Sequence, residues 1–453
     1  MKINLIVLPF EENVKSPPIC LGYIASLLEQ DKHNIKIIDL NFETQIPQSD
    51  LNIVTTTTVD YYNCPLLNMD VIDKWLAIIS KTKIPLAVIG PHVTTMPEYF
   101  EKYAQYLVVG EPELTIKEMV ASLTKNKSLN GIKGLVYKQG KRFIKNSSRK
   151  LLQNLDILPF PDRRLIKNDL YVNPVCKNYP YTMVISSRGC PYKCTYCYMD
   201  VYGHFWRARS AENVVNELTE IRKKYNIREI VFRDDLFSLD KTRVLKICNG
   251  IIKKNLNLTW TCQTRVDSVD EEIISKMKEA GCYSISFGIE GGSQEMMNRL
   301  KKGITIEKVK KAIALCQKYN IRTRGYFIIG CPGETKESIQ QTLELAKELD
   351  LDYFMLSILT PYPQTEIFED AFKKKIIKKR SWNEALRCAG IIETPFTFNE
   401  LVKIKRDLYF KYYFRPGYIL PRLLPGKIDM LYHGFMPFIK NMLKRKFRGK
   451  KLE

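Results

Sequence analysis

The chain has 453 residues, too many for one ordinary core, so two or three domains are expected. Hydrophobic residues make up 45% and charged residues 26%, the balance of a folded chain rather than a disordered one. No run approaches the roughly 20 apolar residues that span a bilayer, and the start, MKINLIVLPF, lacks the pattern of a leader, so a cytoplasmic location is expected. A net charge of +22 leaves nucleic acid, an anionic membrane surface or a generally lysine-rich composition open. Twelve cysteines in a reducing compartment argue against a disulfide framework, and only one group of them is close in sequence.

In chain order, residues 1–130 alternate strand and helix signals. The runs KINLIVLP, HNIKIIDL, LNIVTTTT, PLAVIG and AQYLVVG read as five strands, with helices over 20–30, 69–80 and 112–123. An open parallel sheet binds ligands at the carboxyl ends of its strands, where TTTTVDYYN, GPHVTTMPE and GEPE begin. The pattern G-x-G-x-x-G is absent, so a nicotinamide cofactor is not indicated. Residues 131–180 read as a linker holding a hairpin that turns near Gln139-Gly140, and the prolines of LPFPDRR predict extended chain. From Tyr181 a second alternation begins, with strands YTMVISS, REIVFRD, LTWTCQT, CYSISFGIE, TRGYFIIG and YFMLSIL. Helices are expected to start near Ala211, Lys241, Asp270, Ile306 and Thr335. Six strand–helix repeats predict a complete or partial parallel barrel over 181–370, followed by a basic, aromatic-rich extension over 371–453. Charged or ligating residues fall after successive strands: Arg188 and the cysteine loop, Asp234-Asp235, Arg265, Glu290 and the segment from Gly330 to Glu334.

The segment SSRGCPYKCTYCYMD carries Cys190, Cys194 and Cys197. Thiolates favour iron–sulfur clusters or zinc. A cubane has four irons, so three cysteines leave one iron open to chelate the amino and carboxylate groups of S-adenosylmethionine (SAM). A structural zinc or electron-transfer site is the alternative, with Cys176 or His204 as fourth ligand; zinc sites more often use paired Cys-x-x-Cys units or histidines.

These residues resemble the radical SAM superfamily, whose signature is Cys-x-x-x-Cys-x-aromatic-Cys after the first barrel strand. The resemblance implies a [4Fe-4S] cluster on the three cysteines, Tyr196 near the adenine and a one-electron donor such as flavodoxin or ferredoxin. FRDDLF resembles the acidic segment that meets the SAM amino group, making Asp234 and Asp235 candidates. TCQTRVD would bring Arg265 to the SAM carboxylate, FGIEGGSQE would bring Glu290 to the ribose, and FIIGCPGET would bring Gly330 near the adenine. Bland readings are an ion pair for Arg265 and helix caps for Asp234, Asp235 and Glu290.

PPICLGYIASLLEQ, GPHVTTMPE and VVGEPE resemble the cobalamin-binding domain that precedes the barrel in cobalamin-dependent members. LPFPDRRLI resembles their linker and YFKYYFRPGYILPRLL their C-terminal segment. This implies a Rossmann-like α/β domain followed by a partial (β/α)6 TIM-type barrel with a helical extension. Cobalamin contacts would come from Gly90, His92, Gly110 and Glu111. No Asp-x-His-x-x-Gly motif is present, so a histidine below cobalt is not expected, and Gln364 stands where relatives commonly have glycine.

The resemblance implies cobalamin-dependent C-methylation of a hydrophobic or lipid substrate, with SAM as radical source and methyl donor. An oxidative cyclase or carbon–carbon bond-forming enzyme on a lipid or tetrapyrrole is the alternative. An RNA-binding protein with a structural metal is less favoured, because no basic–aromatic RNA-recognition motif occurs. Aromatics at 409–414, 435 and 438 among cations predict peripheral contact with the anionic inner face of a membrane.

Overall fold

The computed structural model describes residues 1–9, 15–58, 65 and 69–423. Its first sheet has seven strands: β1 (Lys2–Val7), β2 (Asn34–Asp39), β3 (Leu51–Thr55), β4 (Leu86–Ile89), β5 (Tyr106–Val108), β6 (Leu135–Gln139) and β7 (Arg142–Lys145), in the order β2-β1-β3-β4-β5-β6-β7. The first five are mutually parallel and almost wholly buried, which is why they read as apolar runs rather than alternations. Helices Ile19–Gln30, Met69–Ser80 and Pro112–Thr124 accompany them. The hairpin expected within the linker adds two antiparallel strands to this sheet, because β6 pairs with β5. LPFPDRR is not wholly extended. Asp162 accepts from Arg164 N at 3.0 Å and caps a short 3-10 turn, Arg163–Leu165.

The barrel strands are β8 (Tyr181–Val184), then β11 (Glu229–Phe232), β12 (Thr259–Thr264), β13 (Cys282–Glu290), β14 (Arg322–Ile329) and β15 (Tyr353–Ile358); β9 (Ser187–Arg188) and β10 (Arg207–Ala208) form a small antiparallel ladder between the first two. The six pair in parallel and in chain order, an open (β/α)6 arrangement with β8 and β15 at its edges. The expected helix starts coincide with side-chain caps: Ser210, Asp240, Asp270, Thr305 and Thr335 each accept from a backbone N–H three residues on.

An open barrel exposes the backbone of an edge strand. Helix Phe398–Tyr413 covers β15 through tyrosine hydroxyls. Tyr413 Oη accepts from Phe354 N and donates to Phe354 O, both at 2.9 Å. Tyr409 does the same at Leu356, while Tyr412 and Tyr418 donate to Leu351 O and Asp352 O. Part of the aromatic set expected at a membrane therefore closes the barrel instead. Phe435 and Phe438, with the basic residues beyond 423, lie outside the described residues. No helix among those described is long and apolar enough to cross a membrane.

Candidate active site

The cysteine loop is shaped by a backbone that only glycine fits easily. Gly189 has φ 82°, and a Cβ there would lie 2.9–3.0 Å from the carbonyl oxygens of Gly203 and Tyr202. The loop is then fastened from three sides: Asp235 Oδ2 accepts from Gly189 N at 2.8 Å, Leu300 O accepts from Thr195 N, and Thr195 O accepts from Ile367 N, both at 3.1 Å. Cys190, Cys194 and Cys197 all line one cavity of about 330 Å³ at the carboxyl ends of the barrel strands.

Asp235, Arg265 and Glu290 line the same cavity, as does Tyr196 of the cysteine loop, so three further strand ends converge with the cysteines. Arg265 stacks on the Tyr192 ring, 3.5 Å from its centroid, and donates to both carboxylate oxygens of Asp267 and to Lys302 O at 2.8–2.9 Å. An ion pair thus positions the guanidinium at the mouth. Glu290 ends β13 with φ 72°, where the register to β14 shifts. It pairs with Lys302 Nζ at 2.9 Å, and that ammonium also donates to Tyr196 Oη at 3.4 Å. Burial would push Lys302 down, but Glu290 and Cys194 outweigh it and hold it above the usual lysine value. Ser293, not Glu290, caps the helix that follows, Gln294–Arg299. Gly288 makes this arrangement possible: a Cβ there would collide with Glu290 Oε1 and stand 2.7 Å from Lys302 Nζ.

Other candidates do not line this cavity. Asp234 is fully buried and faces the opposite side of its strand end, accepting from Ser186 N, Ser186 Oγ and Ser187 Oγ. It ties β8 to β11. Gly330 has φ 78° and packs on Gly390 and Leu401, and its N–H donates to Glu334, whose carboxyl burial pushes up to about 7. Gln364 has φ 75°, the left-handed region that favours glycine at this position.

The N-terminal candidates sit where that domain meets the barrel. His92 is fully buried, with Nδ1 2.9 Å from Thr56 Oγ1 and its ring 4.6 Å from that of Trp382. Glu111 is enclosed rather than open to a ligand, pairing at 2.9 Å with Arg188 and with Arg207. Glu113 takes the other arm of Arg188 at 2.5 Å. Arg188 and Arg207 face each other across the β9–β10 ladder, so four buried charges join VVGEPE to the base of the cysteine loop. A second junction joins GPHVTT to the loop: Tyr198 Oη donates to Pro91 O at 2.9 Å, and Thr95 Oγ1 donates to Asp200 Oδ2 at 2.8 Å.

The donor set fits a cluster better than zinc. Cys176 lies by Glu229 at the far end of β11, and His204 is exposed, with Nδ1 3.0 Å from Tyr192 O. Among the described residues no three His, Cys, Asp or Glu side chains converge on a single-ion site. Burial pushes the Cys190 and Cys197 thiols up, so thiolates there need a cationic centre in contact, as iron provides. A corrinoid also finds fitting residues at the strand ends of the first sheet. Among the described residues, buried Thr57 Oγ1 has no hydrogen-bond partner and a Cβ on Gly110 (φ 84°) would meet nothing within 4 Å. Sequence reasoning placed Arg188 at the first barrel strand's end without foreseeing its partners Glu111 and Glu113, and it missed Lys302.

Residues 184–346 match the Radical SAM superfamily. An uncharacterized methyltransferase of Pyrococcus horikoshii is 33% identical, over 99% of this chain and 98% of its own. An anaerobic magnesium-protoporphyrin IX monomethyl ester cyclase of Rubrivivax gelatinosus is 24% identical, over 78% of this chain and 66% of its own. The structure of the cobalamin-dependent SAM radical enzyme OxsB, with aqua-cobalamin and SAM bound, shares the fold with a TM-score of 0.72 at 18% identity, covering 97% of this chain and 71% of that one.

Proposed function

The chain belongs to the radical SAM superfamily, and from that premise we propose that it is a cobalamin-dependent methyltransferase acting on a carbon of a substrate with a hydrophobic body. The observation that carries the reading is the pair of junctions just described, which sets the strand-end loops of the first sheet directly against the cysteine loop. A ligand held at those loops lies beside one held at the barrel mouth.

Cys190, Cys194 and Cys197 would hold a [4Fe-4S] cluster, which would supply the electron for reductive cleavage of SAM once an external one-electron donor has reduced it. A corrinoid at Thr57 and Gly110 would supply the methyl group, itself drawn from SAM. The protein's own residues do the rest. Lys302 stays protonated between Glu290 and the cysteine loop, where its charge offsets the thiolates. Asp235 fixes the first residue of the loop, and Arg265, held by Asp267, presents its remaining Nη1 hydrogen at the mouth. Tyr192 and Tyr196 line the cavity on the side of the cysteine loop.

The test is corrinoid retention. Anaerobically refolded or native protein, incubated with hydroxocobalamin and desalted, should keep about one equivalent with a base-off spectrum, identical in His92→Ala. Failure to retain corrinoid, or a protein nitrogen on cobalt, would remove the cobalamin reading. A peripheral membrane contact is a separate proposal. Its support is the exposed Phe410–Phe414 stack, with ring centroids 4.5 Å apart, and the exposed Leu420 and Leu423.

A further inference from the structure

Parallel barrels usually fill their interior with branched aliphatic side chains. This one does not. On β14, Phe327 and Ile329 belong to the apolar layer under the helices, while Tyr326, Ile328 and the edge of Phe327 line the cavity. The two-residue period of a strand places Arg324 on the Tyr326 face, one step deeper. Around Tyr326 the cavity wall is polar, with Gln263, Ser286 and Ser357 contributed by β12, β13 and β15.

The cations near this cavity differ in how they are compensated. Arg265 has Asp267, Lys302 has Glu290 and Arg188 has Glu111 and Glu113. Arg324 stands 5.2 Å over the Tyr353 ring and beside the Tyr326 phenol, and among the described residues it forms no ion pair. Arg324 is only partly buried and has phenols rather than a carboxylate beside it, so an arriving anion would supply the counter-charge it lacks. Tyr326 connects it to the cavity. Guanidinium nitrogens only donate, so the phenol oxygen accepts from Arg324, and Ser286 is its second hydrogen-bond partner. Burial alone would push this phenol up, but Arg324, with Arg233 beyond it, outweighs burial and holds it below the ordinary tyrosine value. The result is a strengthened hydrogen-bond donor on the cavity floor.

We propose that Tyr326 and Arg324 form an oxyanion subsite, and that the substrate is an amphipathic molecule whose carboxylate or phosphate seats there. Its apolar body lies along Ile328, Ile358, Leu359 and Tyr362, which line the same cavity. This rests on the reading that the methyl acceptor enters this cavity.

The experiment uses full-length protein with its cluster reconstituted and SAM saturating. Calorimetric titration below micelle concentrations compares decyl phosphate, decanoate, decanol and inorganic phosphate. At least one amphipathic anion should bind about tenfold or more tightly than decanol and than inorganic phosphate. Arg324→Met and Tyr326→Phe should each weaken that anion by about tenfold or more, with Arg324→Lys partly restoring it. SAM affinity, decanol affinity and the spectrum of the reduced cluster should stay as in wild type, which shows that the variants fold. Three results overturn the proposal: no preference for an amphipathic anion, a preference untouched by the variants, or a loss of SAM affinity in its place. Corrinoid retention and 5′-deoxyadenosine formation are read separately, so failure here is distinguishable from failure of the methyltransferase reading.

Discussion

Glu111→Ala removes the carboxylate shared by Arg188 and Arg207, and the structure sets the scale of the loss. The three side chains are only 1–6% exposed, so the charges left behind stay dry. Breaking a buried pair costs about 3–5 kcal/mol for that reason. Arg188 keeps Glu113, and Arg207 keeps the carbonyls of Leu152 and Tyr202, which puts the expected cost at the lower end. A loss of ~3 kcal/mol lowers the unfolding midpoint by on the order of 6–12 °C in a domain of 150–250 residues. Anaerobic circular-dichroism melts of wild type and Glu111→Ala measure it. Glu111→Gln, which keeps an acceptor for Leu152 N, should fall between the two. Adding Arg188→Met to Glu111→Gln should cost less than the sum of the single changes, since each removes a charge the other would strand. Burial opposes ionisation of Glu111, but the two arginines outweigh it, so its folded pKa lies below the usual carboxylate value. Its stabilisation is therefore full above the unfolded value of about 4.3 and fades as pH falls through the folded one. The gap between wild type and Glu111→Ala should hold from pH 6 to 8 and shrink below about pH 4. A variant within ~0.5 kcal/mol of wild type, or a gap that widens in acid, would refute the reasoning.

Gly288→Ala should leave the cluster spectrum intact while weakening SAM binding about tenfold or more, because its Cβ displaces the Glu290–Lys302 pair; unchanged affinity in equilibrium dialysis would show that the pair does not serve SAM. Arg265→Ala should weaken SAM by on the order of 1.5–3 kcal/mol with iron content preserved, and loss of iron in its place would assign Arg265 to the loop alone. Sedimentation with vesicles should require anionic lipid, fall with salt and be lost when Phe410, Phe414, Leu420 and Leu423 are all replaced by serine; equal pelleting of both forms, or of neither, would end the membrane proposal.

The two alternations were legible because their signals are local. Parallel strands buried on both faces are unbroken apolar runs, and each barrel helix from Ala211 onward announces itself with a Ser, Thr or Asp cap. The cysteines were legible for the same reason, since three ligands lie within one loop. Asp234 and Asp235 mark the limit. Adjacent residues at a strand end face opposite sides, and nothing in DD says which one reaches the cavity; the structure places Asp235 there. Longer-range features left no local trace. Arg188 meets Glu111 across 77 positions and Lys302 meets Tyr196 across 106, so neither pairing follows from composition or period. The tyrosines of 409–418 carried an ambiguous signal, because aromatics suited to a membrane boundary are equally suited to sealing an open strand edge, which several of them do.

The central claim, a radical SAM enzyme that also passes a methyl group through cobalamin, is tested most directly by the products of SAM. Protein reconstituted with iron, sulfide and cobalamin, then given SAM and dithionite, should form both 5′-deoxyadenosine and S-adenosylhomocysteine. Omitting cobalamin should abolish S-adenosylhomocysteine alone, and replacing Cys190, Cys194 and Cys197 by alanine should abolish 5′-deoxyadenosine. Formation of 5′-deoxyadenosine with no S-adenosylhomocysteine in the cobalamin-loaded protein would contradict the methyltransferase account and leave the cyclase chemistry in its place.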